Sequence, residues 1–270
     1  MSSPRDWAPF GVQSNPSTPP GLHAGDAHVW RIDLAATHMV GALRGVLSEA
    51  ERARAERFHQ AVHAERFTVA HGVLRCILAG YLGESPAALM FVHGAHGKPA
   101  LATEGAGLEF NLSHSGDVAL VAVARDRAVG VDVEQWDDRV RHLEIAERFF
   151  SARERASLRS LGQAHVAAGF FAAWSRKEAY LKATGAGISQ GLHHFDVSLH
   201  PDAPPELLAD RVQANAVVQW QMRALDVGAR YSAALVVGAP LNAVQLRDAS
   251  AWQFMSAPSA NPAASVPTPR

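Results

Sequence analysis

The sequence predicts an α+β protein of two similar halves, packed about a pseudo-twofold axis with an active-site cleft between them. Three observations carry this reading. Leu47-Ser48-Glu49-Ala50-Glu51-Arg52 and Phe150-Ser151-Ala152-Arg153-Glu154-Arg155 each place a serine three residues before a glutamate, the capping-box pattern that opens a helix, and the two serines lie 103 positions apart. The same offset carries Phe67 onto Phe170 and Arg75 onto Glu178. Finally, Val129, Val131 and Val133 alternate with Gly130, Asp132 and Glu134, a period of two that predicts a strand burying its valines and turning both carboxylates to one face.

Taken in order, residues 1–25 are rich in Pro, Ser and Gly and are expected to be a disordered tail. The first half, 26–125, opens with a strand over His28–Leu34, continues through the helix capped by Ser48 and a longer helix carrying Phe67 and Arg75, and closes on strands. Asp117–Ala124 reads as a strand buried on both faces, and Arg125-Asp126-Arg127 as the turn that follows it. The second half, 126–245, repeats the order: strand 129–134, the helix capped by Ser151, then a helix over Val166–Lys182 in which Phe170, Trp174, Lys177 and Leu181 recur at helical spacing and Gly185 lies just past the end. Tyr231–Val237 is the expected last strand, and the Ala/Pro/Ser-rich residues 246–270 a second disordered tail.

The chemistry gathers in the second half. Asp132 and Glu134 on a strand face make a cation site that needs a further ligand, which Glu178 can supply from its helix. Lys182, four residues on, brings a positive charge to the same side. Hard oxygen donors that leave part of the ion open suit Mg²⁺, which shares its shell with waters and substrate phosphates.

Composition narrows the partners. With 25 Lys and Arg against 26 Asp and Glu, the formal net charge is −1, so bulk charge supports neither nucleic acid nor an anionic membrane as a partner. The single cysteine, Cys76, excludes an intrachain disulfide and a cysteine-rich metal site. Neither a signal-peptide run nor a membrane-spanning stretch is present, which points to a cytoplasmic protein. There is no glycine-rich phosphate loop, dinucleotide fingerprint or Gly-x-Ser-x-Gly elbow, and His193, His194 and His200 match no metal-binding spacing.

Three segments, in this order along the chain, resemble the Sfp-type 4′-phosphopantetheinyl transferases: Asn111-Leu112-Ser113-His114-Ser115, Gly130-Val131-Asp132-Val133-Glu134, and Trp174-Ser175-Arg176-Lys177-Glu178-Ala179-Tyr180-Leu181-Lys182. Gly97-Lys98-Pro99, a short way before the first, is similar to a fourth element of that family. Singly, each motif has an ordinary explanation: a solvated edge-strand face, a surface i, i+4 pair worth about 0.3–0.5 kcal/mol, a structural histidine, a turn lysine. Their conjunction does not.

The resemblance implies the two-halved fold of that family. It also implies transfer of the phosphopantetheine arm of coenzyme A to a serine of an apo carrier protein, with Mg²⁺ required and adenosine 3′,5′-bisphosphate released. Asp132, Glu134 and Glu178 would be the metal ligands. Glu178, or a metal-bound water oriented by Glu134, would take the serine proton, and Lys182 would act on the pyrophosphate and the leaving group. His114 would contact the 3′-phosphate, Lys98 and Ser113 the adenine nucleotide, and Arg75 a phosphate. Arg44, Arg52 and Arg66 are candidates for further phosphate contacts. Arg139, Arg141, Arg148, Arg153, Arg155 and Arg159 offer a local basic surface for the acidic helices of a carrier. The competing expectation is a non-catalytic module that binds coenzyme A or a carrier. A site between two halves of one chain needs no second copy, so a monomer is expected.

Overall fold

Both serines open helices as their pattern requires, and the two halves can be followed element by element in the computed structural model, which describes residues 8–9, 21–94, 96–103, 107–187, 191–200 and 203–249. The first half contains strands β1 (Ala8–Pro9) and β2 (Asp26–Asp33), helices α1 (Val40–Arg44), α2 (Glu49–Glu56) and α3 (Ala61–Leu82), the hairpin of β3 (Phe91–His93) and β4 (Pro99–Leu101), then β5 (Leu108–Ser115) and β6 (Val118–Arg125). The second contains β7 (Val129–Gln135), α4 (His142–Phe149), α5 (Ala152–Ser160), α6 (Gln163–Thr184), β8 (Phe195–Val197), β9 (Leu207–Asp210), α7 (Ala216–Gln219), β10 (Trp220–Leu225) and β11 (Tyr231–Gly238); β12 (Ala243–Asp248) follows.

A five-stranded sheet has the order β1-β12-β2-β6-β5, and a three-stranded sheet the order β10-β11-β7. β12 runs parallel to β2, so the chain returns to the first half at its end. This alters the expected boundaries: residues 243–248 belong to the first half's sheet, and 246–248 are strand where a tail was expected. The physical reason is the edge of β2, whose backbone groups β12 satisfies. Most of both expected tails, 1–7, 10–20 and 250–270, lie outside the described residues.

The two sheets face each other across a layer that buries Val129, Val131 and Val133 of β7 with Val29, Leu120, Ala122 and Leu235. Helix α3 covers the outer face of the larger sheet, packing Val69, Val73 and Ile77 on Trp30, Phe110 and Val121. Helix α6 covers the smaller one, packing Phe171, Tyr180 and Ala183 with Ala234 and Val236. The valines of β7 therefore point between the sheets and its alternate residues point at α6, as the period of two requires.

Contact between α6 and β7 is close because Gly130 permits it. A Cβ built there would lie 2.1 Å from the Ala179 carbonyl oxygen and 2.4 Å from the Ala183 amide nitrogen, both backbone atoms. Gly130→Ala is expected to push the helix off the strand at a cost of about 3 kcal/mol. Thermal unfolding checks this: a melting temperature equal to wild type would mean that α6 does not rest on β7 as described.

The repeat is more exact than the sequence offset shows. Ser48 and Ser151 both complete capping boxes, with reciprocal bonds to Glu51 and Glu154. The long helices α3 and α6 each have 22 residues and end on a left-handed glycine, Gly83 and Gly185, both with φ 70°. Those glycines are 102 positions apart, so within the long helices the correspondence shifts by one and Arg75 matches Lys177, not Glu178. Their contacts agree. Arg75 Nε donates to Glu51 at 2.7 Å, and its Nη1 to the carbonyls of Pro86 and Leu89. Lys177 Nζ lies 2.8 Å from Glu154 and donates to the carbonyls of Leu192 and Phe195. Arg75 stacks its guanidinium over Phe91, and Lys177 its ammonium over Phe195. Each half is thus pinned by one buried cation joining its capping-box glutamate, its long helix and the turn after it.

Candidate active site

Four charged side chains meet where β7 passes under α6. Asp132 is 3 % exposed, and its Oδ1 receives the Lys182 ammonium at 2.6 Å and the Ser113 hydroxyl at 2.9 Å. Lys182 Nζ also donates to Ser113 Oγ at 2.9 Å. Glu134, two residues along the same face, accepts from Ser115 Oγ at 3.2 Å. Glu178 lies one helical turn before Lys182, close enough for its charge to act on both Asp132 and Glu134.

The electrostatics of the three carboxylates are alike. Burial, then the neighbouring Asp132 charge, pushes Glu134 up to about 7, with Glu178 adding to the rise and Ser115 and Lys182 opposing it. Burial and Asp132 also raise Glu178, while Lys182 opposes. For Asp132 burial outweighs Lys182 and Ser113, so its carboxyl too is raised. Three carboxylates share one ammonium, and the surplus negative charge sits where solvent screening is poor.

Asp132 Oδ2 is buried without a hydrogen-bond partner. That orphaned oxygen, the surplus charge and the all-oxygen donor set fit a hard divalent cation in kind. The shell expected from Asp132, Glu134 and Glu178 is nevertheless not assembled: among the described residues no group of three His, Cys, Asp or Glu side chains is placed to hold a metal ion. The Lys182 ammonium rests on Asp132 Oδ1 and partly compensates its buried charge.

Beside this acidic cluster lies a basic one. His114, on the α3 side of β5, reaches solvent, and partial burial followed by the charges of His71, Lys182, Arg54 and Arg66 holds its imidazole below the ordinary value. His71 stacks on Phe67 with ring centroids 4.0 Å apart, and Arg54 lies over the same ring at 5.1 Å. Cations from α2, α3 and α6 thus converge on one exposed histidine of β5, an arrangement suited to a polyanion.

The expected residues divide accordingly. Asp132, Glu134, Glu178, Lys182, Ser113 and His114 come together. Arg75 does not: it is 2 % exposed and committed to Glu51 and two carbonyls, so the expected phosphate contact is replaced by a structural one. Lys98 is set apart at the start of β7, donating to the Val129 carbonyl at 3.0 Å. Ser113 faces Asp132 and Lys182, the acidic rather than the basic cluster. Of the further arginines, Arg66 joins the basic cluster and pairs with Asp117, Arg44 pairs with Glu56, and Arg52 donates to the Leu47 carbonyl. Arg54 and His71 were missed. Their only trace in the sequence is helical spacing, Arg54 three residues after Glu51 and His71 four before Arg75, which places each beside the buried ion pair.

Comparison with known proteins identifies the family. Residues 128–236 match the 4′-phosphopantetheinyl transferase superfamily, and residues 35–126 match a 4′-phosphopantetheinyl transferase N-terminal region. The 4′-phosphopantetheinyl transferase HetI of Nostoc sp. is 42 % identical over 194 residues, covering 70 % of this chain and 81 % of HetI. The transferase psf-1 of Bacillus pumilus is 37 % identical over 187 residues, 69 % of this chain and 78 % of that one. Sfp of Bacillus subtilis is 30 % identical over 156 residues, 58 % and 68 %. Among solved structures, a holo-(acyl-carrier-protein) synthase of Bacillus anthracis in complex with CoA (3′,5′-ADP) is similar over 41 % of this chain and 94 % of its own, at 20 % identity and TM-score 0.34. Likeness to HetI over four fifths of that protein, and family matches on both sides of the β6–β7 turn, establish that this chain belongs to the 4′-phosphopantetheinyl transferases.

Proposed function

We propose that the protein moves the 4′-phosphopantetheine arm of coenzyme A onto a serine of an apo carrier protein, with Mg²⁺ as the required ion. The observation that carries this is the adjacency of two opposite clusters: surplus carboxylates at Asp132, Glu134 and Glu178 beside the cations around His114, with Lys182 belonging to both. A substrate that is itself a polyanion and is held partly through a cation needs both.

In the reaction the carrier serine oxygen bonds to the phosphorus that bears the pantetheine arm. The bond from that phosphorus to the bridging oxygen breaks, and adenosine 3′,5′-bisphosphate departs with the electron pair. Asp132, Glu134 and Glu178 would hold Mg²⁺, which when bound supplies charge neutralisation to the pyrophosphate. Lys182 would turn its ammonium from Asp132 to the leaving group. Glu178, raised above an ordinary carboxylate, would accept the serine proton. Arg54, His71, Arg66 and His114 would hold the 3′-phosphate. Arg54→Ala is expected to weaken coenzyme A binding roughly 10-fold or more while leaving dephospho-coenzyme A, which lacks that phosphate, unchanged. Calorimetry with both ligands checks it, and equal losses for the two would move the 3′-phosphate elsewhere.

The carrier-facing charge is narrower than the sequence suggested. Arg139 pairs with Asp137, Arg141 with Glu144, and Arg155 and Arg159 with Glu147. Among the described residues Arg148 and Arg153 form no ion pair, and they are the ones free to meet an acidic partner. Arg148→Glu with Arg153→Glu should raise the KM for carrier and spare coenzyme A affinity; unchanged carrier kinetics would exclude this surface.

The direct experiment is intact-mass analysis of apo carrier proteins incubated with the protein, coenzyme A and Mg²⁺, against a chelated control. A metal-dependent gain of about 340 Da is expected, the arm with its phosphate. No gain with coenzyme A still bound would favour a binding module, and free phosphopantetheine without carrier would indicate a hydrolase.

A further inference from the structure

Asn111 and Ser115 have no part in the chemistry above, yet both touch the strand that carries it. With Ser113 they stand at alternate positions of β5, hence on one face. The register pairs them with Ala122, Leu120 and Val118, so that face is the apolar one between the sheets, where a polar side chain without a partner is costly. Their partners lie on β7, an edge strand of the smaller sheet whose outer N–H groups β11 leaves unpaired.

The four contacts follow one another along the strand. Asn111 Oδ1 accepts from the Val131 N–H at 2.9 Å. Ser113 Oγ donates to Asp132 Oδ1 at 2.9 Å. Ser115 Oγ accepts from the Gln135 N–H at 3.0 Å and donates to Glu134 Oε2 at 3.2 Å. Ser115 uses its single hydrogen on the carboxylate and its lone pair on the backbone, so one side chain fixes both the strand and the acid it presents. The period of Asn-x-Ser-x-Ser is matched to the period of Asp-x-Glu: side chains from the first half join the two sheets where no backbone ladder does.

We propose that Asn111 and Ser115 are positioning residues, which hold β7 in register against β5 and aim the Asp132 and Glu134 carboxylates into the cleft. The proposal rests on the metal-dependent reading given above. Losing such a supporting hydrogen bond typically costs 10- to 100-fold in metal affinity or activity.

Asn111→Ala strands the buried Val131 N–H and is expected to lower the melting temperature too, so Ser115 carries the test. Ser115→Ala should lower kcat for carrier modification roughly 10-fold and weaken Mn²⁺ binding, read by electron paramagnetic resonance with coenzyme A present, by a similar factor. KM for coenzyme A and the melting temperature should stay near wild type, and Ser115→Thr, which keeps the hydroxyl, should restore both losses. Equal kcat and Mn²⁺ affinity in wild type and Ser115→Ala, or equal impairment of the Ala and Thr variants, would overturn the positioning role. Failure of the wild-type protein itself to bind Mn²⁺ would overturn the metal reading, and this proposal with it.

Discussion

Glu178→Gln is expected to lower kcat by roughly 10²-fold or more, the scale of losing a general base or a charge-stabilising group. Stability should move the other way. Glu178 is raised by burial and by the Asp132 charge, so its ionised form is held against local repulsion in the folded state, and a neutral isostere removes that repulsion. A variant that is inactive but melts at or above the wild-type temperature would separate chemistry from folding, the trade expected of a strained functional site. Full activity in Glu178→Gln would end its assignment as the base.

Lys177→Met is expected to do the reverse. Lys177 is fully buried and Glu154 is 1 % exposed, and besides their ion pair at 2.8 Å they hold the carbonyls of Leu192 and Phe195 and the Val197 N–H. Removing the lysine leaves a buried carboxylate uncompensated, which costs about 3–5 kcal/mol. Chemical denaturation reads the loss, and the protein that remains folded should bind coenzyme A as wild type does. Lys177→Met combined with Glu154→Leu should recover much of the stability, because replacing both members of a buried pair is far milder than orphaning one. A single variant as stable as wild type, or one that loses coenzyme A affinity while fully folded, would place Lys177 in the site rather than in the scaffold.

Lys177 and Glu178 are neighbours in one motif with unlike duties. Position on the helix separates them: consecutive residues differ by about 100° around the axis, so Lys177 enters the core of the second half and Glu178 the cleft. The motif's charges were legible in the sequence and their division of labour was not. Arg75 shows the same limit. The serine offset matched it to Glu178, and the family resemblance implied a phosphate contact; the shift of one residue, visible in the matching left-handed glycines Gly83 and Gly185, matches it to Lys177, and its contacts place it in the scaffold.

The repeat also shows why the acidic cluster is found in one half of a doubled fold and not in the other. Shifted by 102 positions, which matches the helix-facing side of β7 to that of β2, Asp132 and Glu134 fall on Trp30 and Ile32, and Glu178 and Lys182 fall on Cys76 and Gly80. The first half therefore lacks every carboxylate of the cluster and contributes instead Arg54, Arg66, His71 and His114. Two like frames thus carry unlike charge, anionic side chains on one and cationic side chains on the other.

Local patterns decided a good deal without the fold. The alternation of Val129 to Glu134 fixed which side chains enter the core, the capping boxes set the starts of α2 and α5, and the charged positions of three short motifs named the family. These depend on periodicities of two and 3.6 residues and on bonds within four residues, all of which a linear chain displays. Packing alone decided the rest: that β12 returns to the first sheet, that Lys182 sits on Asp132, that Arg54 and His71 reach His114, and that Asn111 and Ser115 hold β7. Each of these joins groups far apart in sequence, and each is settled by the desolvation cost of a buried charge or an unpaired backbone group, which exists only once the two halves have closed on each other.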